Sequence, residues 1–472
     1  MKIRFSNLGT IRETEIDLRP LTVIIGPNNS SKTYLAYSIY GLWRELQALK
    51  LDALEPLRSV RVNHTDRSVE WSIKRLEAAL HAHVKSSTRR FETQLGDFFQ
   101  DTSNRLFRKT KFDIEEKPSA EILLPAFQGY SDFQMFAARE GGHIRLMLDQ
   151  NFRILFAASA GGAKTSARKI PFEYTGLLPG QGMRNVIELA FGAPFILPAE
   201  RNALIITYKI LSNRRFKLLR DAARVRKVGR RAADDLHELL REQGEIRYPL
   251  PVEDFLDFLA DVELPATRGT AAPDSGFAKL AALVESSIQS GNRLELTSTA
   301  LGGRELRVGI GDDLSIDLYN ASSSIKQLSA LILYLRYKAA PNQLLIIDEP
   351  EMNLHPASQV RLLEVLAILV NLGVRVLVTT HSPYFMAHLA NLVQKAEDPK
   401  IQKKQAAQLY LKDPRALLAL DHVSAYEMRD NRLVSLKDPE FGLRWDTLSD
   451  VFSDLQQRYF ALDGLAHGKR GK

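Results

Sequence analysis

Gly26-Pro27-Asn28-Asn29-Ser30-Ser31-Lys32-Thr33 is a run of small and polar residues that ends in Lys-Thr. What such a run can do depends on its flanks. Leu21–Ile25 (LTVII) before it is short, apolar and rich in β-branched residues, the pattern of a buried parallel strand. Tyr34–Trp43 after it carries apolar residues at helical spacing. Strand, small-residue loop, Lys-Thr and helix together are the context of a phosphate-binding loop. Successive backbone N–H groups and a helix N-terminus concentrate positive potential where phosphates would sit. In that arrangement Lys32 reaches the β- and γ-phosphates of a nucleotide and Thr33 holds Mg²⁺. One position departs from the usual pattern, because Ser31 stands where a glycine is expected before the lysine. If its φ is positive, the Cβ costs about 1–2 kcal/mol.

A second set of reactive residues lies far along the chain. Leu344-Leu345-Ile346-Ile347 is another buried-strand run, and it ends in Asp348-Glu349-Pro350-Glu351. An acid at the carboxyl end of such a strand is where a Walker-B aspartate meets the metal, so Asp348 joins Thr33 as a candidate metal ligand. Glu349, one residue on, is placed to polarise an attacking water as general base. Val374–Val378 (VRVLV) makes a third strand, followed by Thr379-Thr380-His381-Ser382-Pro383. A lone histidine is usually structural; His381, directly after a strand and beside an acidic strand end, is a candidate for the chemistry.

Four segments in this order, GPNNSSKT at 26–33, LLIIDEPE at 344–351, NLHP at 353–356 and TTHSPYF at 379–385, resemble the ABC-type ATPase heads of the RecF/SMC/OLD group. The opening, Phe5–Gly9 through Leu18–Leu21, is similar to the first strands of those heads. The resemblance implies an α/β fold, a P-loop ATPase head with a mixed, mainly parallel sheet, an antiparallel β subdomain and helical insertions. It implies ATP and Mg²⁺ as ligands. Gly26, Pro27, Asn28, Asn29, Ser30, Ser31, Lys32, Thr33 and Tyr34 would line the nucleotide, and Lys32, Glu349 and His381 would carry catalysis. Asn353–Pro356 takes the D-loop position, and His381 that of the switch histidine that senses the γ-phosphate. Ala321–Gln327 lies where the ABC signature belongs, although it lacks the usual glycine pair. Ser322, Ser323 and Ser324 at a helix start could cap it and contact a partner's γ-phosphate. Because such heads sandwich ATP between two copies, a homodimer closed by ATP is expected. Phe195–Arg201 (FILPAER) resembles a segment of the defence-associated branch, which places Glu200 and Arg201 near the nucleotide or the dimer face.

Most of the chain lies between Thr33 and Asp348, whereas a βαβ unit needs only about 30 residues. The expected organisation is therefore a head interrupted by insertions. Residues 1–41 form the N-terminal part of the head, 42–111 a helical insertion, and 112–200 a β-rich return. Residues 201–276 form a basic helical insertion, and 277–472 the rest of the head. Strand-like runs are expected at Glu121–Leu124, Phe152–Ala158 and Gln408–Leu411. A meander is expected at Arg293–Thr297, Leu306–Ile310 and Leu314–Leu318, a hairpin at Val423–Leu436 and a terminal helix from Leu448. Pro265–Gly276 reads as a linker.

Cysteine is absent, which excludes disulfides, thiolate zinc sites and thiol catalysis. Apolar residues make up 45% and charged residues 25%, as in a folded globular protein, and the net charge of +8 permits but does not demand nucleic acid. The opening Met1–Phe5 has no apolar leader, and the most apolar windows fall short of the roughly 18 residues of a membrane span, so a cytoplasmic protein without membrane contact is expected. Arg214–Arg231 is the strongest charge feature, nine basic residues against Asp221. With few aromatics it would track phosphates rather than stack bases, but a solvated face or a docking surface for an acidic partner is the favoured reading. Gly161–Thr165 mimics a phosphate loop but reads as a hairpin turn. His81 and His83 point to different faces of a helix and make a poor metal pair. Lys469, Arg470 and Lys472 read as a frayed tail.

After His381 no Asp-x-Asp pair occurs, so the nuclease that some OLD relatives carry is not expected. The leading expectation is a slow ATPase acting as sensor or regulator of a separate effector, a nuclease or toxin. It resembles the single-head ATPase subunits of bacterial anti-phage systems (PARIS, Septu-like or retron-linked). The alternatives are a RecF-like DNA-repair clamp that uses Arg214–Arg231, and a scaffold that binds ATP but scarcely hydrolyses it because of Ser31.

Overall fold

Three of the apolar runs lie side by side in one sheet, and nearly every residue in them is buried because the sheet is covered on both faces. The computed structural model describes residues 1–48, 61–63, 68–101, 103, 105–114, 135–136, 143–148, 154–155, 187–188, 190–208, 248–263, 274–298, 304–311, 313–438, 442–444 and 446–467. The first half contains β1 (Lys2–Leu8), β2 (Ile11–Asp17), β3 (Leu21–Ile25), α1 (Lys32–Gln47), β4 (Arg61–Asn63), β5 (Ser68–Ser72), α2 (Ile73–Phe99), β6 (Lys111–Ile114), β7 (Met135–Phe136), β8 (His143–Leu148), β9 (Ile154–Leu155) and β10 (Pro194–Leu197). Then come α3 (Leu250–Glu263), α4 (Gly276–Ser287), β11 (Arg293–Ser298), β12 (Arg304–Ile310), β13 (Leu314–Asp317), α5 (Ser323–Tyr337), β14 (Leu344–Asp348), α6 (Pro356–Asn371) and β15 (Arg375–Thr380). The chain closes with α7 (Pro383–Leu392), α8 (Pro399–Ala406), β16 (Val423–Arg429), β17 (Arg432–Ser435), β18 (Lys437–Asp438), β19 (Gly442–Leu443) and α9 (Asp446–His467). Residues 201–208 are also helical.

The central sheet has the order β10-β14-β15-β3-β16-β17, parallel except for the last pair. Its register brings three strand ends level. Asp348 lies opposite Thr379, and Thr380 opposite Ile25, the last residue before the glycine-led loop. In an open parallel sheet the loops at the carboxyl ends form the binding crevice. The strand leading to His381 thus sits between the strand leading to Lys32 and the strand ending in Asp348.

Two antiparallel sheets flank this core, β2-β1-β6 and β11-β12-β13. The first is tied to the core through Tyr426, whose hydroxyl accepts from Asp17 N at 2.8 Å, and through Ser424, which donates to Asp17 O at 2.7 Å. The second is the expected meander, and the expected hairpin and terminal helix are present as β16–β17 and α9. The fold is thus a mixed α/β head of P-loop ATPase type with antiparallel sheets and helices added to it.

Two local expectations need correction. Residues 42–111 are not helical throughout, because β4 and β5 interrupt them and pair with each other. Ser68-Val69-Glu70-Trp71-Ser72 alternates polar and apolar residues, the period-two pattern that should have marked a strand. β5 also pairs with β8, so this sheet draws on residues from both sides of position 111. Gln408–Leu411 forms turns and bends rather than a strand. There Tyr410 N and Leu411 N donate at 2.9 and 2.7 Å to the carboxylate of Glu364, which replaces a ladder partner. The expected run at Glu121–Leu124, the Gly161–Thr165 turn, the basic run Arg214–Arg231 and the Lys469–Lys472 tail lie outside the described residues. So does most of the Pro265–Gly276 linker. Among the described residues no helix is long and apolar enough to cross a membrane.

Candidate functional site

The loop after β3 folds back on its own lysine. Lys32 Nζ donates to Gly26 O at 3.0 Å, to Pro27 O at 2.8 Å and to Ser30 Oγ at 3.3 Å. Lys32 is buried, which lowers its pKa, while Glu349, Asp348 and Glu351 nearby pull it back up. Gly26 has a steric reason to be glycine, since a Cβ there would meet Met428 Cβ of β16 at 2.8 Å. Ser31 adopts φ 66° and ψ 20°, the left-handed region, immediately before α1. Its hydroxyl does not cap the helix but bonds to Thr10 Oγ1 at 2.8 Å, joining the loop to the β1–β2 turn. Asn29 is left-handed as well, at φ 59°. Alternating conformations of this kind turn successive N–H groups to one side, the geometry of an anion nest. Tyr34, half-exposed, packs edge-on against Phe99 and Phe107 at ring separations of 5.3 and 5.5 Å.

Asp348 is fully buried at the end of β14. Burial pushes its carboxyl up to about 6, against the hydrogen bonds from Thr379 and Thr33 that favour the ionised form; Glu349 and Glu200 raise it further. Thr379 donates to Oδ1, while Oδ2 is buried without a hydrogen-bond partner. A carboxylate with a spare oxygen beside a threonine hydroxyl, at a phosphate-binding loop, fits a hard cation with oxygen ligands. Mg²⁺ takes one or two protein oxygens and completes its shell with phosphate and water.

Glu349 occupies the left-handed region at φ 47°. Its N–H donates to Thr379 O at 3.0 Å, and its carboxylate Oε1 lies 3.2 Å from His381 Nε2. Both side chains keep about a quarter of their surface open, at 28% each, so a water and a phosphate can reach them. The main chain of His381 is held from the other side, its N–H donating to Glu351 Oε1 at 2.6 Å. Pro350 and Pro383 fix the turns that follow β14 and β15. Thus Lys32, Thr33, Asp348, Glu349 and His381 share one rim of the sheet.

Other predicted positions lie on neighbouring elements. Ser322 caps α5, accepting from Ile325 N at 3.3 Å, and its hydroxyl is 2.9 Å from that of Ser324. Ser322 and Ser323 are exposed. Asn353 is exposed with φ 60°, and His355 caps α6 through Nδ1, accepting from Ala357 N at 3.3 Å. Glu200 is exposed, whereas Arg201 is only 3% exposed and lies beneath the rim that carries Asp348 and Glu349. Its guanidinium is spent on main-chain carbonyls beneath the Asp348–Glu349 turn. His83 is buried with Nε2 2.6 Å from Leu46 O, and His81 is exposed, so the two do diverge. Thr379 and Glu351 carry roles that no spacing rule singles out. Their signal was in the motifs, as the residue two before His381 and the second acid of Asp-Glu-Pro-Glu.

Residues 207–387 match the family model described as "AAA domain, putative AbiEii toxin, Type IV TA system". That match spans less than half of the chain, includes Ser322–Ser324, Asp348, Glu349 and His381, and leaves out the loop at 26–33. No curated protein matches the sequence. Among solved structures, the chain is similar to an Smc head domain with an extended coiled coil, bound to the C-terminal domain of ScpA, from Pyrococcus furiosus. That likeness has 12% identity and a TM-score of 0.33, and covers 96% of this chain and 98% of that one. An SmcHead bound to the C-winged helix domain of ScpA gives 12% identity and 0.34, over 92% and 96%. At such scores neither likeness bears on function. Fold, loop and strand-end acids together define the class: a P-loop ATPase.

Proposed function

We propose that the chain binds ATP with Mg²⁺ at the rim of β3, β14 and β15 and hydrolyses it slowly, and that two copies close around the nucleotide. The observation that carries this reading is the pairing of Glu349 with His381 at 3.2 Å beside the lysine-bearing loop. Gly26–Tyr34 cradle the nucleotide, Lys32 neutralises the β- and γ-phosphates, and Thr33 and Asp348 hold the cation. A cation held there would supply charge neutralisation to the phosphates. Glu349 accepts the proton of the attacking water as its oxygen bonds to the γ-phosphorus, and ADP departs with the electrons of the broken bond. His381, fixed by Glu351 and facing Glu349, contacts the transferred phosphoryl group. Ser322–Ser324 of one copy face the nucleotide of the other.

At the level of biology, closure positions the inserted segments so that they hold or release a separate effector, a nuclease or toxin of an anti-phage system in the bacterial cytoplasm. The described motifs and the toxin–antitoxin description of the matching family support that placement. The chain itself is not a nuclease. The second reading, a DNA clamp of RecF type, draws on Arg214–Arg231. It requires ATP-dependent, salt-sensitive DNA binding that disappears when those arginines are neutralised.

The test is the mass of Glu349→Gln in solution. With ATP and Mg²⁺ the variant should sediment at twice the monomer mass of 53.2 kDa, and return to the monomer when nucleotide is removed. A variant that stays monomeric at saturating ATP contradicts nucleotide-driven closure.

A further inference from the structure

Arg201 opens the helical segment 201–208 and is almost completely buried. Burial lowers its pKa to about 10, with Asp348, Glu351, Tyr37 and Glu349 drawing it back up, so it remains a cation at neutral pH. A buried guanidinium needs every donor placed. Nη1 donates to Pro198 O at 2.8 Å and to Asp348 O at 2.7 Å, and Nη2 donates to Glu349 O at 3.0 Å. Nε donates to the main-chain oxygen of Gln327 at 3.4 Å, and the amide of Gln327, rotated by 180° so that its oxygen meets the guanidinium, would accept from Nε at 3.3 Å as well.

These contacts join three parts of the molecule. Pro198 directly follows β10, Asp348 ends β14 with Glu349 next to it, and Gln327 lies on α5, the helix that begins at Ser322–Ser324. Glu349 is the residue most in need of such support. Its left-handed φ of 47° brings Cβ close to the backbone, so the peptide keeps that shape only when its surroundings impose it. Thr379 O holds its N–H, and Arg201 holds its C=O. With both ends of the residue fixed, the direction of Cα–Cβ is fixed too, and the carboxylate meets His381.

We propose that Arg201 is a positioning residue for hydrolysis, holding Glu349 in its reactive orientation and tying that orientation to helix α5 through Gln327. This rests on the hydrolytic reading above and deepens it. A planar guanidinium holds separate carbonyls with donors fixed in one rigid fork, whereas an ammonium offers its donors from a single point on a flexible stem and does not reproduce that spacing.

The experiment compares phosphate release and the affinity of a non-hydrolysable ATP analogue in wild type, Arg201→Lys, Gln327→Met and the double variant. Arg201→Lys should lower kcat at least about tenfold, since a misplacement of about 1 Å at the reacting groups can cost on the order of 100-fold. KM and analogue affinity should stay within about twofold, because no contact to the nucleotide is removed. Gln327→Met should lower kcat by less, and the double variant should be no worse than Arg201→Lys alone, as expected of residues acting through one link. Unchanged kcat, a parallel loss of kcat and affinity, or losses that simply multiply would each overturn the proposal. If Arg201→Lys does not fold, Gln327→Met decides by the same split of kcat from affinity. A wild type that releases no phosphate would instead remove the hydrolytic reading, and this inference with it.

Discussion

Burial drives the Asp348 carboxyl up to about 6, which means the folded protein resists its ionisation. The folded pKa exceeds the unfolded value, so the protonated form contributes stability that is fully present below pH 3.8 and lost as pH rises through 6. At neutral pH the free protein therefore carries a cost of about 3 kcal/mol at this side chain, which a bound cation relieves. Asp348→Asn keeps the acceptor for Thr379 and removes the charge. The variant should melt a few degrees higher than wild type without ligand at pH 7, with the gain vanishing near pH 4. The further rise that wild type shows with Mg²⁺ and ATP should be absent. A variant that melts lower at pH 7, or that keeps the Mg·ATP rise, speaks against Asp348 as the buried cation ligand. Thermal melts across pH, with and without Mg·ATP, read both effects.

At the scale of elements, the loop from Gly26 to Thr33 holds Lys32 through the carbonyls of Gly26 and Pro27, not through the side chain of Ser31. Ser31→Gly relieves the left-handed strain but loses the bond to Thr10 and adds chain entropy to the unfolded state. These terms offset one another, so stability should move by less than about 1 kcal/mol and turnover by less than about threefold. A large gain in phosphate release with glycine would identify the serine as a brake on hydrolysis. The loop, the β14 acids and the β15 histidine were legible in the sequence because each sits where an apolar run stops, and such boundaries are local. The meander and the last hairpin were legible for the same reason. The partners of these residues were not. Thr379 reaches Asp348, Glu351 reaches the main chain of His381, and Arg201 reaches Asp348 and Glu349 only after the strands are aligned. β4 and β5 were missed because short strands lay inside a stretch rich in helix-forming residues.

Across the whole molecule, the head places its chemistry at one sheet rim while the insertions occupy much of the chain between Thr33 and Asp348. In the proposed reading, closure of two copies would move the surface that these segments carry. If an effector is the target, it should co-purify with the chain from the native host, and its retention should differ between ATP and ADP. Recovery of bare protein in both nucleotides would favour the DNA-clamp reading instead. All of these expectations presuppose that the rim hydrolyses ATP. Phosphate release by the intact chain with ATP and Mg²⁺, measured for wild type beside Glu349→Gln, tests this most directly. Wild type should turn over, and the variant should bind ATP yet release phosphate at least about 100-fold more slowly, the loss of a general base. Equal rates in the two proteins, or no release from either, would contradict the assignment of this rim as the catalytic site.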